Sequence, residues 1–212
     1  EKAQTLPYFC PIKPLDEPRP MPPKPTILFM GRIRPIKGFD IFIDALARVP
    51  EARGILVGDI TDNTQQLINN LSKRFGCPAR LEVHPWASRE QISEFFKSAT
   101  LFVFPSIWPE TLGIVGLEAM AHGVPVVASD VGGVRQWLQD GVNGALVPPR
   151  DAKALAEAIR RLLNSPNTLH SMGQNAIRTI KEGFLLEQHV TKLLNLYEQA
   201  ASRGKSAAII GK

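Results

Sequence analysis

The chain is short of cysteine, of long apolar runs and of a dominant charge, and each shortage excludes a class of protein. Its two cysteines, Cys10 and Cys77, lie far apart and have no metal-ligand spacing. They form no disulfide framework, so a reducing, cytoplasmic setting is the expectation. No apolar run reaches the roughly 18 residues that a membrane-spanning helix needs. The opening EKAQTLPYFCPIKP lacks the basic-then-apolar order of a signal peptide. It does not begin with Met, so the chain is expected to be a piece of something longer. The formal net charge of +5 is modest for 212 residues, and the basic residues are scattered apart from Arg32, Arg34 and Lys37. Charge therefore does not demand a nucleic-acid partner.

What is present is a core. Hydrophobic residues make up 44% of the chain, enough to exclude both disorder and a small stapled scaffold. Eight of the 18 prolines fall within the first 25 residues. Proline fixes φ and removes a donor, so residues 1–25 are expected to form neither helix nor central strand. They read as a linker packed along a surface or as the hinge from an upstream domain.

From Thr26 short apolar runs alternate with helical periodicities. The runs are TILFM (26–30), GILVG (54–58), RLEVH (80–84), LFVFP (101–105), VPVVAS (124–129) and GALVP (144–148). Apolar on both faces, they are expected as strands buried beneath helices on either side. Phe42, Ala45, Leu46 and Val49 keep helical spacing, as do Val190, Leu193, Leu194 and Tyr197. Asp151 is a candidate N-cap for a helix burying Leu155, Ile159 and Leu162. Strand and helix repeated about six times predict a Rossmann-like doubly wound parallel α/β sheet over 26–201. Two final helices, near 167–180 and 186–201, have no strand between them, and 202–212 is expected to be a flexible tail.

Ligands of such a sheet bind beyond the carboxyl ends of its strands. The loop after the first run, Gly31–Gly38, reads GRIRPIKG. The Arg32 fork and the Lys37 point charge would suit a diphosphate, though two solvated loop cations would look the same. Neither a P-loop nor a GxGxxG fingerprint is present. The segment PSIWPETLGIVGLEAMAHGVPVVAS carries Glu110, then Gly113 at a helix start, where free amides attract anions. Glu118 follows eight residues after Glu110, one helical turn beyond Gly113 and Ile114. A lone carboxylate in so apolar a helix needs a partner, or else it is a surface or capping residue.

The pattern PSxxxETxGxxxxEAMAxGxPVVAS, with seven residues between its glutamates, closely resembles the nucleotide-sugar domain of retaining glycosyltransferases of the two-Rossmann-domain (GT-B) type. This is the large fourth sequence-based family, the glycosyl transferases of group 1. GRxxxxKG, LVGD, FPS and DGVNGALVPPRD match in order, over about residues 26–165. The resemblance implies that Arg32 and Lys37 hold the donor's diphosphate, with Gly31 and the backbone at Leu112 and Gly113 beside the phosphates. It implies that Glu118 accepts from the ribose hydroxyls and that Glu110 contacts the transferred sugar. Glu110, Arg32 and Lys37 would then be the groups that act in catalysis. The base would lie near His84–Trp86, where Trp86 offers a stacking surface but, beside Pro85, also suits simple packing; His84 and His122 read as structural. One departure is present: the family often has glycine after the aspartate of LVGD, whereas Ile60 and Thr61 follow Asp59. That puts the turn, and a phosphate's approach to it, in question.

The resemblance further implies a UDP- or GDP-type sugar donor, no cofactor, no metal (no Asp-x-Asp is present), and an acceptor domain upstream of this chain. The expected chain is thus the donor-binding half of a transferase. It would bind donor without turning over, touch no nucleic acid, and have no membrane span, though its parent could rest on a membrane surface. Three rivals stand beside it: an epimerase or phosphorylase on the same architecture, a non-catalytic nucleotide-sugar module, and a nucleic-acid binder suggested only by the basic pI.

Overall fold

A computed structural model of the chain describes residues 5–18, 20–86 and 88–210, with the backbone alone from residue 203 on. Six parallel strands form one sheet: β1 (Thr26–Met30), β2 (Arg53–Gly58), β3 (Leu81–Pro85), β4 (Leu101–Phe104), β5 (Val126–Ser129) and β6 (Gly144–Val147). Their order is β3-β2-β1-β4-β5-β6. The expected doubly wound α/β architecture is therefore the observed one.

Helices α1 (Phe39–Ala47), α2 (Asp62–Phe75) and α5 (Ala152–Leu163) cover one face. There Phe29 and Ile27 meet Phe42, Leu46, Ile68 and Ile159. Helices α3 (Arg89–Ser98) and α4 (Ile114–Ala121) cover the other, where Leu28, Met30 and Phe102 meet Phe96, Leu117 and Met120. Alternate strand residues thus feed two separate cores, as the pleat requires. Helix α6 (Pro166–Gly183) touches both, giving Leu169 and Met172 to the first core and Ala176 and Ile180 to the second.

Local chemistry sets the helix ends. Asp151 accepts from the Ala154 amide at 2.8 Å, the cap expected of it. Thr61 and Ser88 each open a helix with a reciprocal capping box. The turn in question after Asp59 is closed without a glycine: the Ile60 amide donates to the Gly58 carbonyl at 2.9 Å, and Asp59 Oδ1 accepts from the Ile33 amide at 2.5 Å.

Three expectations are corrected. First, β3 is not buried on both faces; it is an edge strand, and its five residues are all partly or fully exposed. Second, α6 runs past 180 to Gly183. Third, α7 (Leu186–Ile210) continues through the segment expected to fray, with residues 211 and 212 outside the described part. Polar residues after Ile180 and the Ser/Gly/Lys stretch after 201 break the apolar period but do not break a helix, since no proline lies among them. The apolar stripe of α7 is as spaced, yet Val190, Leu194 and Tyr197 are exposed.

Residues 5–18 and 20–25 form neither helix nor strand, and Cys10 and Ile12 pack into the core on the α3/α4/α6 face. The Cys10 amide donates to the Phe184 carbonyl and the Leu15 amide to the Ala121 carbonyl, at 2.8 and 2.9 Å. Cys10 itself is buried among the residues of the second core. Among the described residues no helix is long and apolar enough to cross a membrane.

Candidate active site

The sheet reverses its winding between β1 and β4, the switch point at which crevices open in doubly wound sheets. The loop after β1 leads to α1 on one face and the loop after β4 leads to α4 on the other. In the first loop, Pro35 begins a short 3-10 turn and Gly38 ends it at φ 71°. A Cβ at Gly38 would stand 2.0 Å from the Pro105 carbonyl oxygen, so the two loops touch backbone to backbone. The Ile107 amide donates to the Ile36 carbonyl at 2.9 Å and fastens the contact.

This contact brings two residues 73 apart in sequence into a pair: Lys37 Nζ lies 2.5 Å from Glu110 Oε1. Ser106 Oγ donates to the same oxygen at 2.7 Å from a site only 1% exposed. Both partners sit on Oε1, and among the described residues none donates to Oε2, which can accept from a ligand. The Glu110 main chain is held as well. Gly133 donates its amide to the Glu110 carbonyl at 2.7 Å, and a Cβ at Gly132 would stand 2.3 Å from that oxygen.

Beside this pair a cleft of about 560 Å³ opens, lined by Arg32, Lys37 and Glu110, the segment Thr111–Val115, Phe104 and Tyr8. Arg32 is exposed and has no carboxylate partner among the described residues. The amides of Gly113, Ile114 and Val115, at the start of α4, find no acceptor among the described residues. Two cations and a helix N-terminus thus face one space, which suits a polyanion. Leu112 is buried, and its carbonyl accepts from Trp137 Nε1 at 2.5 Å, which anchors the approach to α4. Gly31 sits at the root of the first loop, but its amide already donates to the Val57 carbonyl at 3.0 Å. It shapes the loop rather than offering a free donor.

Two of the expected residues stand apart from this cleft. Glu118 lies one turn further along α4, half-buried, and does not line it. Burial raises the Glu118 carboxyl above its ordinary range, and Arg89 at the start of α3 acts against that rise. Trp86 is 47% exposed and lines a different groove, with Arg53, His84, Gln91 and Phe95, along the β3 edge. The histidines have local partners. The His84 ring lies 4.9 Å from that of Phe95, while His122 contacts the Glu118 carbonyl and Ser93 Oγ at 2.8 and 2.9 Å.

Sequence reasoning missed Ser106, Arg89 and Tyr8. Ser106 stood in the FPS motif with no role assigned, and its signal was its place four residues before Glu110. Arg89 carried no local signal, because its neighbour Glu118 is 29 positions away. Tyr8 was hidden inside the proline-rich stretch. Among the described residues no group of three His, Cys, Asp or Glu side chains is placed to hold a metal ion.

Residues 16–179 match the family model described as glycosyl transferases group 1. A D-inositol 3-phosphate glycosyltransferase of Xylanimonas cellulosilytica is 32% identical over 182 residues, which is 84% of this chain and 43% of the relative. The sucrose-phosphate synthase of Thermosynechococcus elongatus superposes with a TM-score of 0.80 at 31% identity, over 85% of this chain and 46% of that one. Anabaena HepE, solved in complex with UDP and glucose, superposes at 0.78 and 27% identity, over 83% and 48%. The chain thus spans less than half the length of these relatives. In fold alone, it also matches a C-terminal domain of a group 1 transferase from Francisella tularensis, at a TM-score of 0.69, with 94% of that domain covered.

Proposed function

The chain belongs to the glycosyl transferases group 1 family, and from that premise we propose that it is the donor-binding half of a retaining, metal-independent transferase of hexose-type sugars. The observation that carries this reading is the Lys37–Glu110 pair. It joins the loops after β1 and β4 beside Arg32 and the first amides of α4, which have no acceptor among the described residues. One wall is cationic and the other offers a fixed acceptor, which is what a diphosphate esterified to a sugar asks of a site.

In this reading Arg32, Lys37 and the α4 N-terminus take the diphosphate. As the bond to the sugar breaks, negative charge grows on the leaving phosphate, and fixed cations and dipoles stabilise it without having to reorganise. These groups supply what a divalent metal supplies elsewhere. Glu110, with Oε2 open, accepts from a hydroxyl of the transferred sugar. The nucleoside runs on past α4, where Glu118 takes the ribose hydroxyls and the loop after β3 with Trp86 meets the base. Departure and attack on the same face of the sugar would retain its configuration. The acceptor binds to the remaining part of a longer protein, as the relatives' greater length suggests. This chain alone then binds its donor without passing the sugar on. HepE was crystallised with UDP and with UDP-glucose, which favours a uridine or related donor here.

A melting-temperature panel of UDP-, GDP- and ADP-sugars, each with and without excess EDTA, tests the reading. A ligand at about 100 times its Kd adds about 2.7 kcal/mol to stability. Stabilisation by one nucleotide sugar that persists in EDTA is the expected result. Stabilisation by none of them overturns the reading.

A further inference from the structure

Tyr8 belongs to the segment that reads as a linker, yet it is the half-exposed aromatic ring of the cleft. It lines the same space as Arg32, Lys37 and Glu110 and is 53% exposed. Its position is fixed from behind. The ring stacks on Phe9 with centroids 4.7 Å apart and planes 15° apart, and Phe9 in turn lies 5.1 Å from the His189 ring of α7. His189 Nδ1 donates to the Pro7 carbonyl at 2.9 Å, and the Cys10 amide donates to the Phe184 carbonyl at 2.8 Å. Both flanks of Tyr8 are therefore tied to the α6–α7 end of the molecule.

The cleft's other walls are accounted for. The cations and the amides of α4 answer negative charge, and Glu110 answers a hydroxyl. Phe104 and Leu112 are only 7% and 6% exposed, so they present little surface to a ligand. A pyranose also has an apolar C–H face, and a flat aromatic ring with a polar rim matches it, apolar surface to apolar face and phenol to hydroxyl. Because Phe9 and His189 already order the ring, little conformational freedom is lost when a sugar docks.

We propose that Tyr8 is a donor-sugar platform: its cleft-facing side packs on the hexose of the nucleotide sugar, making the proline-rich N-terminal segment part of the donor site. This rests on the donor-binding reading above.

The test is calorimetric titration of the chain and its Tyr8→Leu and Tyr8→Phe variants with UDP and UDP-glucose, and with GDP and GDP-mannose. Tyr8→Leu is expected to weaken the nucleotide sugar about two- to tenfold while leaving the nucleoside diphosphate within about twofold. Tyr8→Phe, which keeps the ring, should restore most of the loss. Unchanged diphosphate binding also reports that the leucine variant is folded. Equal losses for diphosphate and sugar nucleotide, or no loss for either, overturn the platform while leaving the diphosphate site standing. Failure of the unsubstituted chain to bind any of the four ligands overturns both readings together.

Discussion

Gly133 donates its amide to the Glu110 carbonyl at 2.7 Å, so the loop after β5 holds the main chain of a residue whose side chain is held by the loops after β1 and β4. Three consecutive strand ends converge on one glutamate. Its carboxylate is fixed before any ligand arrives, and the cost of ordering it is borne by the fold.

The two cations should fail differently. Arg32 is exposed and has no carboxylate partner among the described residues, while Lys37 is already paired. Arg32→Ala is expected to weaken a nucleoside diphosphate by about 1.5–3 kcal/mol and to leave a nucleoside and the melting temperature nearly unchanged. Lys37→Ala should weaken the diphosphate comparably and also lower the melting temperature, because Glu110 then keeps only Ser106. Titration with UDP and uridine, with melts run alongside, separates the effects. Equal losses for nucleoside and diphosphate would contradict the assignment of either cation.

Ser106→Ala removes the hydroxyl that donates to Glu110 Oε1 without disturbing the Lys37 contact. The buried site keeps its shape, so a stability loss near 1 kcal/mol is expected. The affinity for a nucleotide sugar should fall more than that for the diphosphate alone, as the role proposed for Glu110 toward the sugar requires. A uniform loss across both ligands would mean that Ser106 supports the loop as a whole and not the carboxylate.

Glu118 gives a pH signature. Its folded pKa lies above the ordinary value of 4.5 because burial penalises the charge. The folded state therefore holds this proton more tightly than the unfolded state. The stability linked to it is full below 4.5 and is lost as pH rises from there through the folded value. Glu118→Gln should flatten that part of the stability-against-pH curve and raise the melting temperature at neutral pH, while weakening nucleotide binding, since an amide accepts at one oxygen only. A more stable variant with intact affinity would show a buried acid with no ribose to serve.

Gly38→Ala forces a side chain into a positive-φ site facing the Pro105 carbonyl. Strain of this kind costs about 1–3 kcal/mol, and each kcal/mol lowers the melting temperature of a chain this size by about 2–4 °C. Donor affinity should fall with it, because the loops carrying Lys37 and Glu110 separate. Gly76→Ala is the control: φ there is 82° but nothing stands within 4 Å of the added carbon. It should lose stability and leave affinity alone.

Much of the frame was legible because it is local. Alternating apolar runs and helical spacings gave six strands and the cap at Asp151, and the glutamate pattern marked the loop after β4. What escaped was non-local. Nothing in the sequence near Lys37 says that Glu110 will be its partner, since that follows from β1 lying beside β4. Tyr8 escaped for the opposite reason: prolines forbid helix and strand, and a segment without secondary structure is easily read as a segment without a site. The exposure of β3 escaped too, because Leu81 and Val83 look like core residues until the strand is found at the edge.

The two half-cores that meet at the sheet also have a consequence for engineering. Lys37 lies on the loop that leads from β1 to α1, a helix of one layer, and Glu110 on the loop that leads from β4 to α4, a helix of the other, with the central strands as the partition. A cavity opened at Ile159 would loosen the α1 layer first, and one opened at Met120 the α4 layer, whose N-terminus also faces the cleft. Because the Lys37–Glu110 contact ties the two layers together at the strand ends, a loss of packing on either side reaches both walls of the cleft, and hydrophobic positions that never touch the ligand set how firmly the whole site is held.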